Sequence, residues 1–376
     1  MSFAQAQPTI EKTPYLRRTA LVGLAAALVM AVAVAAGVRF GMLLLIGLGF
    51  GIALEGLRFG FAGPWRALIL RREVAGVLAQ LLAIGIVALV AIPLLSAQDG
   101  VLIGAHAPVG WAMLGGAFVF GIAMQVVLGC GSGTLVNAGS GNPVGLLALP
   151  FFAIGSFAGA FHLFWWTNLG TLAPVVLSGT SGLGVTLALL AAVAVVLLII
   201  AAPGSRRLPG RLWLAAIAVA VLAIGNLVVA GQPWGVVYGL GLWAAKGAVA
   251  VGADLSGSGF WSADANALRL GESIFTDVTS LTNIGIIGGA GLVAVWRVGG
   301  LSAQLPRLPK RAWVAVIIAG FLMGYSSRLA FGCNVGAFFS GISTGSLHGW
   351  AWFVMAFLGA VVGVRLRPAL GLEART

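Results

Sequence analysis

Two cysteines, Cys130 and Cys333, stand at the same place in two glycine-rich stretches of a chain otherwise poor in reactive groups. The first runs Gly129-Cys-Gly-Ser-Gly-Thr-Leu-Val-Asn-Ala-Gly-Ser-Gly-Asn142, with five glycines and six polar or cysteine residues in fourteen positions. The second runs Gly332-Cys-Asn-Val-Gly-Ala-Phe-Phe-Ser-Gly-Ile-Ser-Thr-Gly-Ser346. A thiol is a soft, weak hydrogen-bond donor and acceptor, suited to a polarizable sulfur ligand and poor at gripping a hard oxyanion. Glycine lets the backbone leave a helix and lets a ligand approach it. Backbone N–H groups freed at a new helix start favour an anion. The candidate binding set is therefore Gly129, Cys130, Gly131, Ser132 and Gly133 in the first stretch, and Gly332, Cys333, Asn334 and Gly336 in the second. The competing reading is close helix packing through small residues, with each cysteine a small buried hydrophobe. Neither stretch has the GxGxxG spacing or the preceding strand of a nucleotide site.

The elements holding these stretches belong to a membrane. Of 376 residues 60% are hydrophobic and 8% are charged, and the mean hydropathy is +1.07. A soluble domain carries about 25% charged residues to solvate its surface. Spanning hydrocarbon takes roughly 20 apolar residues as a helix, and such runs recur from end to end, over 19–38, 40–57, 74–95, 109–128, 143–166 and 184–202, then 212–230, 235–252, 275–296, 313–329 and 347–364. The expected fold class is an all-α polytopic membrane protein.

The net charge of +12 reports topology, and no nucleic-acid partner is expected. Lys and Arg gather at Lys12, Arg17 and Arg18; Arg71 and Arg72; Arg206, Arg207 and Arg211; Arg297, Arg307, Lys310 and Arg311; and Arg365, Arg367 and Arg375. The connectors 96–108 and 167–183 contain neither residue. Short cytoplasmic loops are enriched in Lys and Arg, so the basic set marks the inside face and both termini. This divides the chain into a cytoplasmic N-terminus (1–18), a first transmembrane half (19–202), a cytoplasmic linker (203–211), a second half (212–365) and a cytoplasmic C-terminus (366–376). The run after Arg17 and Arg18 is long for a cleaved signal sequence and reads as an uncleaved anchor.

An internal repeat follows. Gly121-Ile-Ala-Met-Gln-Val-Val-Leu-Gly-Cys130 matches Gly324-Tyr-Ser-Ser-Arg-Leu-Ala-Phe-Gly-Cys333 in glycine spacing and ending, and Phe50-Gly-Ile-Ala-Leu weakly matches Tyr238-Gly-Leu-Gly-Leu. The first Gly-Cys element is reached from a bare loop and the second from a basic one, so the halves are inverted. Inverted repeats with interrupted, re-entrant helices meeting near the midplane are a recurring transporter plan.

Charges inside apolar spans are costly and are functional suspects. Arg58 and Arg66 flank a break after the second span, Arg328 precedes the second Gly-Cys, and Lys246 lies in the broken, Gly-rich 235–252 span. Snorkelling, or pairing with Glu55, Glu272 or Asp277, is the alternative for each. No His/Cys/Asp/Glu grouping has metal-ligand spacing and no nucleophile has an evident base, so neither an enzyme nor a cofactor is expected.

The paired motifs Val127-Leu-Gly-Cys-Gly-Ser-Gly-Thr-Leu-Val-Asn-Ala-Gly-Ser-Gly141 and Leu329-Ala-Phe-Gly-Cys-Asn-Val-Gly-Ala-Phe-Phe-Ser-Gly-Ile342 resemble the YeeE/YedE family of sulfur-compound transporters. Arg58-Phe-Gly-Phe-Ala-Gly-Pro-Trp-Arg-Ala-Leu68 resembles that family's first break. The resemblance implies an hourglass-like bacterial inner-membrane protein that takes up thiosulfate or a related anion. Its cysteines would pass the ligand along through weak S–H contacts, roles that fall here on Cys130 and Cys333. The candidate partners are a small sulfur-containing anion, the lipid bilayer and a cytoplasmic sulfur-carrier protein. Thiosulfate transporters of this kind carry a third cysteine in the first break, where Phe59-Gly-Phe-Ala-Gly63 has none, which leaves the substrate open within the group, selenium compounds included. The rival function is a membrane thiol–disulfide carrier using the same two cysteines.

The charge pattern makes a direct prediction. Single cysteines placed in 203–211 and 297–311 will be labelled from the cytoplasmic side, and those in 96–108 and 167–183 from the opposite side. Labelling of 96–108 and 297–311 from one face would refute the inverted arrangement.

Overall fold

The structure, a computed structural model, describes residues 15–98, 100–298 and 308–373. Its first half comprises α1 (Tyr15–Ala36), α2 (Val38–Gly56), α3 (Ala62–Arg71), α4 (Ala75–Ala97), the two-residue strand β1 (Val109–Gly110), α5 (Trp111–Val127), α6 (Gly131–Gly139), α7 (Pro143–Phe161), α8 (Leu163–Thr167), β2 (Thr171–Leu172) and α9 (Gly179–Ile200). The second half comprises α10 (Gly210–Ala230), α11 (Val237–Ala250), α12 (Asp264–Gly271), α13 (Val278–Val298), α14 (Lys310–Leu329), a π-helix over Asn334–Phe339, α15 (Ser340–Ser343) and α16 (Leu347–Leu366). Ten segments are long and apolar enough to cross a membrane, with α5 and α6 forming one and 310–343 another. The chain is a multi-pass helical membrane protein.

The 235–252 run departs from expectation. It is a continuous helix of fourteen residues, about 21 Å long at 1.5 Å per residue, short of the roughly 30 Å hydrocarbon core. It is shorter than the ten segments long enough to cross, as is α3, which follows the 57–61 break.

Four helices carry the two Gly-Cys breaks. α5 packs on α16, α7 on α14, and α5 on α14. Around them α2 packs on α13, α10 on α4 and α2, α9 on α4, and α1 on α2. Lipid tails are as apolar as these helices, so burial alone does not drive association, and small residues that admit close backbone approach do the work. A Cβ at Gly121 of α5 would stand 2.0 Å from the Ala356 carbonyl oxygen, and one at Gly324 of α14 the same distance from that of Phe152.

The connectors sort by end. Arg72 O accepts from Ala202 N (3.0 Å) and Ser205 Oγ (3.1 Å), joining two basic turns. At the other end Val109 pairs with Leu172, Ala105 N donates to Thr344 Oγ1 (3.1 Å), and Leu177 N to Gly345 O (2.7 Å). The Lys/Arg-free connectors therefore lie together. Lys12, Arg307, Arg375 and most of 297–311 lie outside the described residues.

The C-terminal turn folds back on the bundle. Arg367, buried, donates through Nη1 to the Gln125 (2.6 Å) and Val126 (2.8 Å) carbonyls at the end of α5, capping carbonyls that have no intrahelical partner.

Close packing at the four-helix centre predicts that Gly121→Ala costs about 1–3 kcal/mol through overpacking. Gly23→Ala, on a lipid-facing position with open space around it, should leave stability unchanged or raise it slightly. Thermal unfolding of the detergent-solubilised variants checks this.

Candidate functional site

The two Gly-Cys elements share the backbone of the turn itself and differ after it, where Gly131–Gly139 is an α-helix and Asn334–Phe339 a π-helix. Leu128 (φ 55°) and Phe331 (φ 56°) adopt the left-handed conformation, and Cys130 (φ −79°, ψ −168°) and Cys333 (φ −94°, ψ −167°) are extended. A non-glycine residue held left-handed costs on the order of 1 kcal/mol and persists where its surroundings fix it. In both elements the cysteine carbonyl then accepts the first bond of a new helix, from Thr134 N and from Ala337 N, each at 2.8 Å. The irregular backbone is narrower than the glycine content of 129–142 suggests. Cys130 caps α6, Thr134 Oγ1 bonds the Cys130 carbonyl at 2.8 Å, and the chain returns to helix at once.

The two elements meet. A Cβ built on Gly131 would lie 2.9 Å from Cys333 Sγ and 3.3 Å from both Phe152 and Val236. The second thiol thus rests on the first residue of α6, a place only glycine can fill. Both cysteines are free and buried. Cys130 Sγ lies 3.3 Å from Ser132 Oγ and accepts from Gly133 N at 3.5 Å, whereas the backbone amides of Val335, Gly336 and Gly131 face Cys333.

A cavity opens on either side of this junction. One, of about 360 Å³, is lined by Arg58, Gly60, Gly129, Cys130, Ser132 and Gly133 among others. The other, of about 320 Å³, is lined by Gln232, Tyr238, Phe260, Arg328, Gly332 and Gly336 among others. Of the sequence-derived candidates, Arg58, Gly129, Cys130, Ser132 and Gly133 line the first cavity and Arg328, Gly332 and Gly336 the second, whereas Gly131, Cys333 and Asn334 are buried and line neither.

The cations divide. Arg328 lies over the rings of Phe260 (4.5 Å to the centroid) and Tyr238 (5.8 Å). Its Nε is buried without a hydrogen-bond partner, and no ion pair to it is found among the described residues. A cation on aromatic faces keeps its outward N–H groups for an anion. Arg58, left-handed at the end of α2, faces the other cavity beside Glu55, which lies 3.5 Å from Arg297. Arg66 is not among the cavity-lining residues; its guanidinium is 2.6 Å from Glu373, which also pairs with Arg367. Burial opposes ionisation of Glu373, yet the two guanidinium groups outweigh it and hold the carboxyl below its ordinary range. Lys246 donates to the Leu270 (2.8 Å) and Glu272 carbonyls and so ties α11 to the end of α12.

Sequence reasoning passed over two amides that hold the breaks open. Gln80 of α4 donates to Gly60 O at 2.8 Å, and Asn283 of α13 to Val236 O at 2.9 Å. The available signal was a carboxamide in the middle of an apolar span, where an unpaired amide is costly.

The chain is 27% identical over 342 residues to the thiosulfate transporter TsuA of Spirochaeta thermophila, covering 84% of this chain and 95% of that one. It is 35% identical over 98 residues to the probable transporter YedE of Escherichia coli, and 32% identical over 98 residues to that of Salmonella typhimurium. Those two matches span about a quarter of the YedE proteins' length and 26% of this chain. The model of the sulphur transport family matches residues 57–362, a stretch that includes both Gly-Cys elements and every cavity-lining residue except Leu54 and Glu55, and the chain belongs to that family.

Proposed function

We propose that this protein carries a small sulfur-containing anion, thiosulfate foremost, into a bacterial cell across the inner membrane, along a path that runs from the Arg328 cavity, between Cys333 and Cys130, to the Arg58 cavity. The observation that carries this reading is the junction itself. Two Gly-Cys elements far apart in sequence come into contact, each beside its own cavity and each cavity with an arginine on its wall. An anion leaving water for a low-dielectric constriction must be offset by fixed positive groups and oriented donors. Arg328 gathers it and the thiols offer weak, polarizable contacts to its sulfur. The N–H groups at the start of α6, then Arg58, receive it. Contacts this weak let a ligand leave as readily as it arrives.

An inverted two-fold plan underlies the path. Exchanging α5 with α14, α7 with α16, α4 with α13 and α2 with α10 turns α5–α16 into α14–α7 and α2–α13 into α10–α4, all observed pairs, which supports this plan; α1–α2 and α4–α9 have no counterpart. The Gln80–Gly60 and Asn283–Val236 bonds exchange in the same way. The basic turns at Arg72 and 202–206 favour the Arg58 side as cytoplasmic by the positive-inside rule, with both termini on that face. A cytoplasmic sulfur-carrier protein would take the cargo there.

Two outcomes follow. Cys130→Ala and Cys333→Ala will each abolish thiosulfate uptake at unchanged membrane abundance. Full uptake by the double variant would remove the thiols from the mechanism, and a trapped Cys130–Cys333 disulfide required for activity would favour the thiol–disulfide carrier. Arg328→Met and Arg58→Met will weaken the apparent affinity of whole-cell uptake about tenfold or more, since hydrogen bonds to a charged partner are worth roughly 1.5–3 kcal/mol. Arg206→Met in the linker will not, and Arg66→Met, whose partner is Glu373, will group with it. Equal affinities for all four variants would make the cations structural.

A further inference from the structure

The two halves of the junction are not equivalent in their hydrogen bonding. In the first, the residue after the cysteine is Gly131, and the Cys130 thiol is satisfied locally by Ser132 and Gly133. In the second, the corresponding residue is Asn334. Its side chain is fully buried, and neither Oδ1 nor Nδ2 has a hydrogen-bond partner. Buried polar atoms are paired as a rule, and an exception points to a group that binds something.

The same asymmetry recurs one layer out. Gln80, which holds the first break, is saturated, with Nε2 on Gly60 O and Oε1 accepting from Trp65 Nε1 at 3.0 Å. Asn283, which holds the second break, uses only Nδ2, and its Oδ1 is buried and open. The reason lies in the sequence. Trp65 stands five residues beyond Gly60, and the residue five beyond Val236 is Gly241, which has no side chain to donate. Trp234, two residues before Val236, also buries an unpartnered Nε1 while its ring stacks on Phe50 at 3.9 Å. Asn334, Asn283 and Trp234 thus leave open groups in and beside the second break, while near the first the open side-chain atoms are Gln125 Oε1 and Arg66 Nε.

Building on the transport reading above, we propose that Asn334 is the specificity-determining residue of the constriction. Its Nδ2 donates to the oxygen end of an oxyanion whose terminal sulfur lies against the thiols. Its Oδ1 accepts a thiol proton. The ligand class is a tetrahedral oxyanion bearing an exposed sulfur: thiols alone would not select the oxygens, and a site built only of oxyanion donors would not select the sulfur. A group held unpaired for a ligand costs stability in the empty protein, so function and stability should part company at this position.

The test uses purified full-length protein in liposomes, with wild type, Asn334→Ala, Asn334→Asp and the two cysteine variants measured for labelled-thiosulfate uptake and for thermal unfolding. Asn334→Ala is expected to weaken apparent affinity roughly ten- to a hundredfold while melting no lower than wild type. Asn334→Asp, which replaces both donors with a negative charge, is expected to lose uptake altogether. An Asn334→Ala protein with wild-type affinity, or an Asn334→Asp protein that still transports, would overturn the assignment. So would a lower melting temperature for Asn334→Ala, which would make the amide a structural group. Inactive cysteine variants beside a fully active Asn334→Ala would refute this inference alone. A wild-type protein that moves no thiosulfate would refute the transport reading on which it rests.

Discussion

The contact between Cys333 Sγ and Gly131 sets the geometry of everything around it. Any side chain at 131 would push the second thiol away and drive into Phe152 and Val236, so the two Gly-Cys elements touch only because the first helix restarts on glycine. That contact brings together Gly131 of α6, Cys333 just after α14, Phe152 of α7 and Val236 just before α11, and it stands between the two cavities. The surrounding helices hold it in place through backbone approach at Gly121, Gly155, Gly324 and Gly359, where no side chain separates one helix from its neighbour. In hydrocarbon, where burial of apolar surface gives little advantage to a packed pair over two lipid-solvated helices, such approach is the main source of rigidity.

Much of this was legible in the sequence because membranes impose simple rules. Length and hydropathy located ten of the eleven expected spans, and the absence of Lys and Arg from 96–108 and 167–183 identified two connectors that the structure places together. The eleventh, 235–252, read as a broken Gly-rich span, is instead one unbroken helix of fourteen residues, because glycine inside a run does not by itself interrupt a helix. The breaks at Cys130 and Cys333 were visible as glycine and polar residues inside apolar runs. Their extent was overread, since Cys130 and Thr134 restore hydrogen bonding within a few residues. The matched left-handed Leu128 and Phe331 were invisible, because neither residue type announces that conformation.

Cations showed the limits of reading charge without neighbours. Arg58, Arg66 and Arg328 looked alike in the sequence, each a positive charge beside a break. The fold separates them through partners remote in the chain: Glu373 takes Arg66, while Phe260 and Tyr238 support Arg328 without neutralising it. An aromatic platform leaves a guanidinium with its charge and most of its donors available, and a carboxylate does not. Similarity to a thiosulfate transporter extends along most of the chain, although the first break here, Phe59-Gly-Phe-Ala-Gly63, holds no cysteine.

The central claim is that the ligand's sulfur passes between the two thiols, and locating a bound ligand tests it most directly. Crystals grown with selenosulfate, in which selenium replaces the terminal sulfur, would report that atom by anomalous scattering. The account predicts a selenium peak at the junction, within contact of Cys130 Sγ and Cys333 Sγ, that disappears when both cysteines are alanine. A peak confined to a site away from both thiols, unchanged in the double variant, would contradict it.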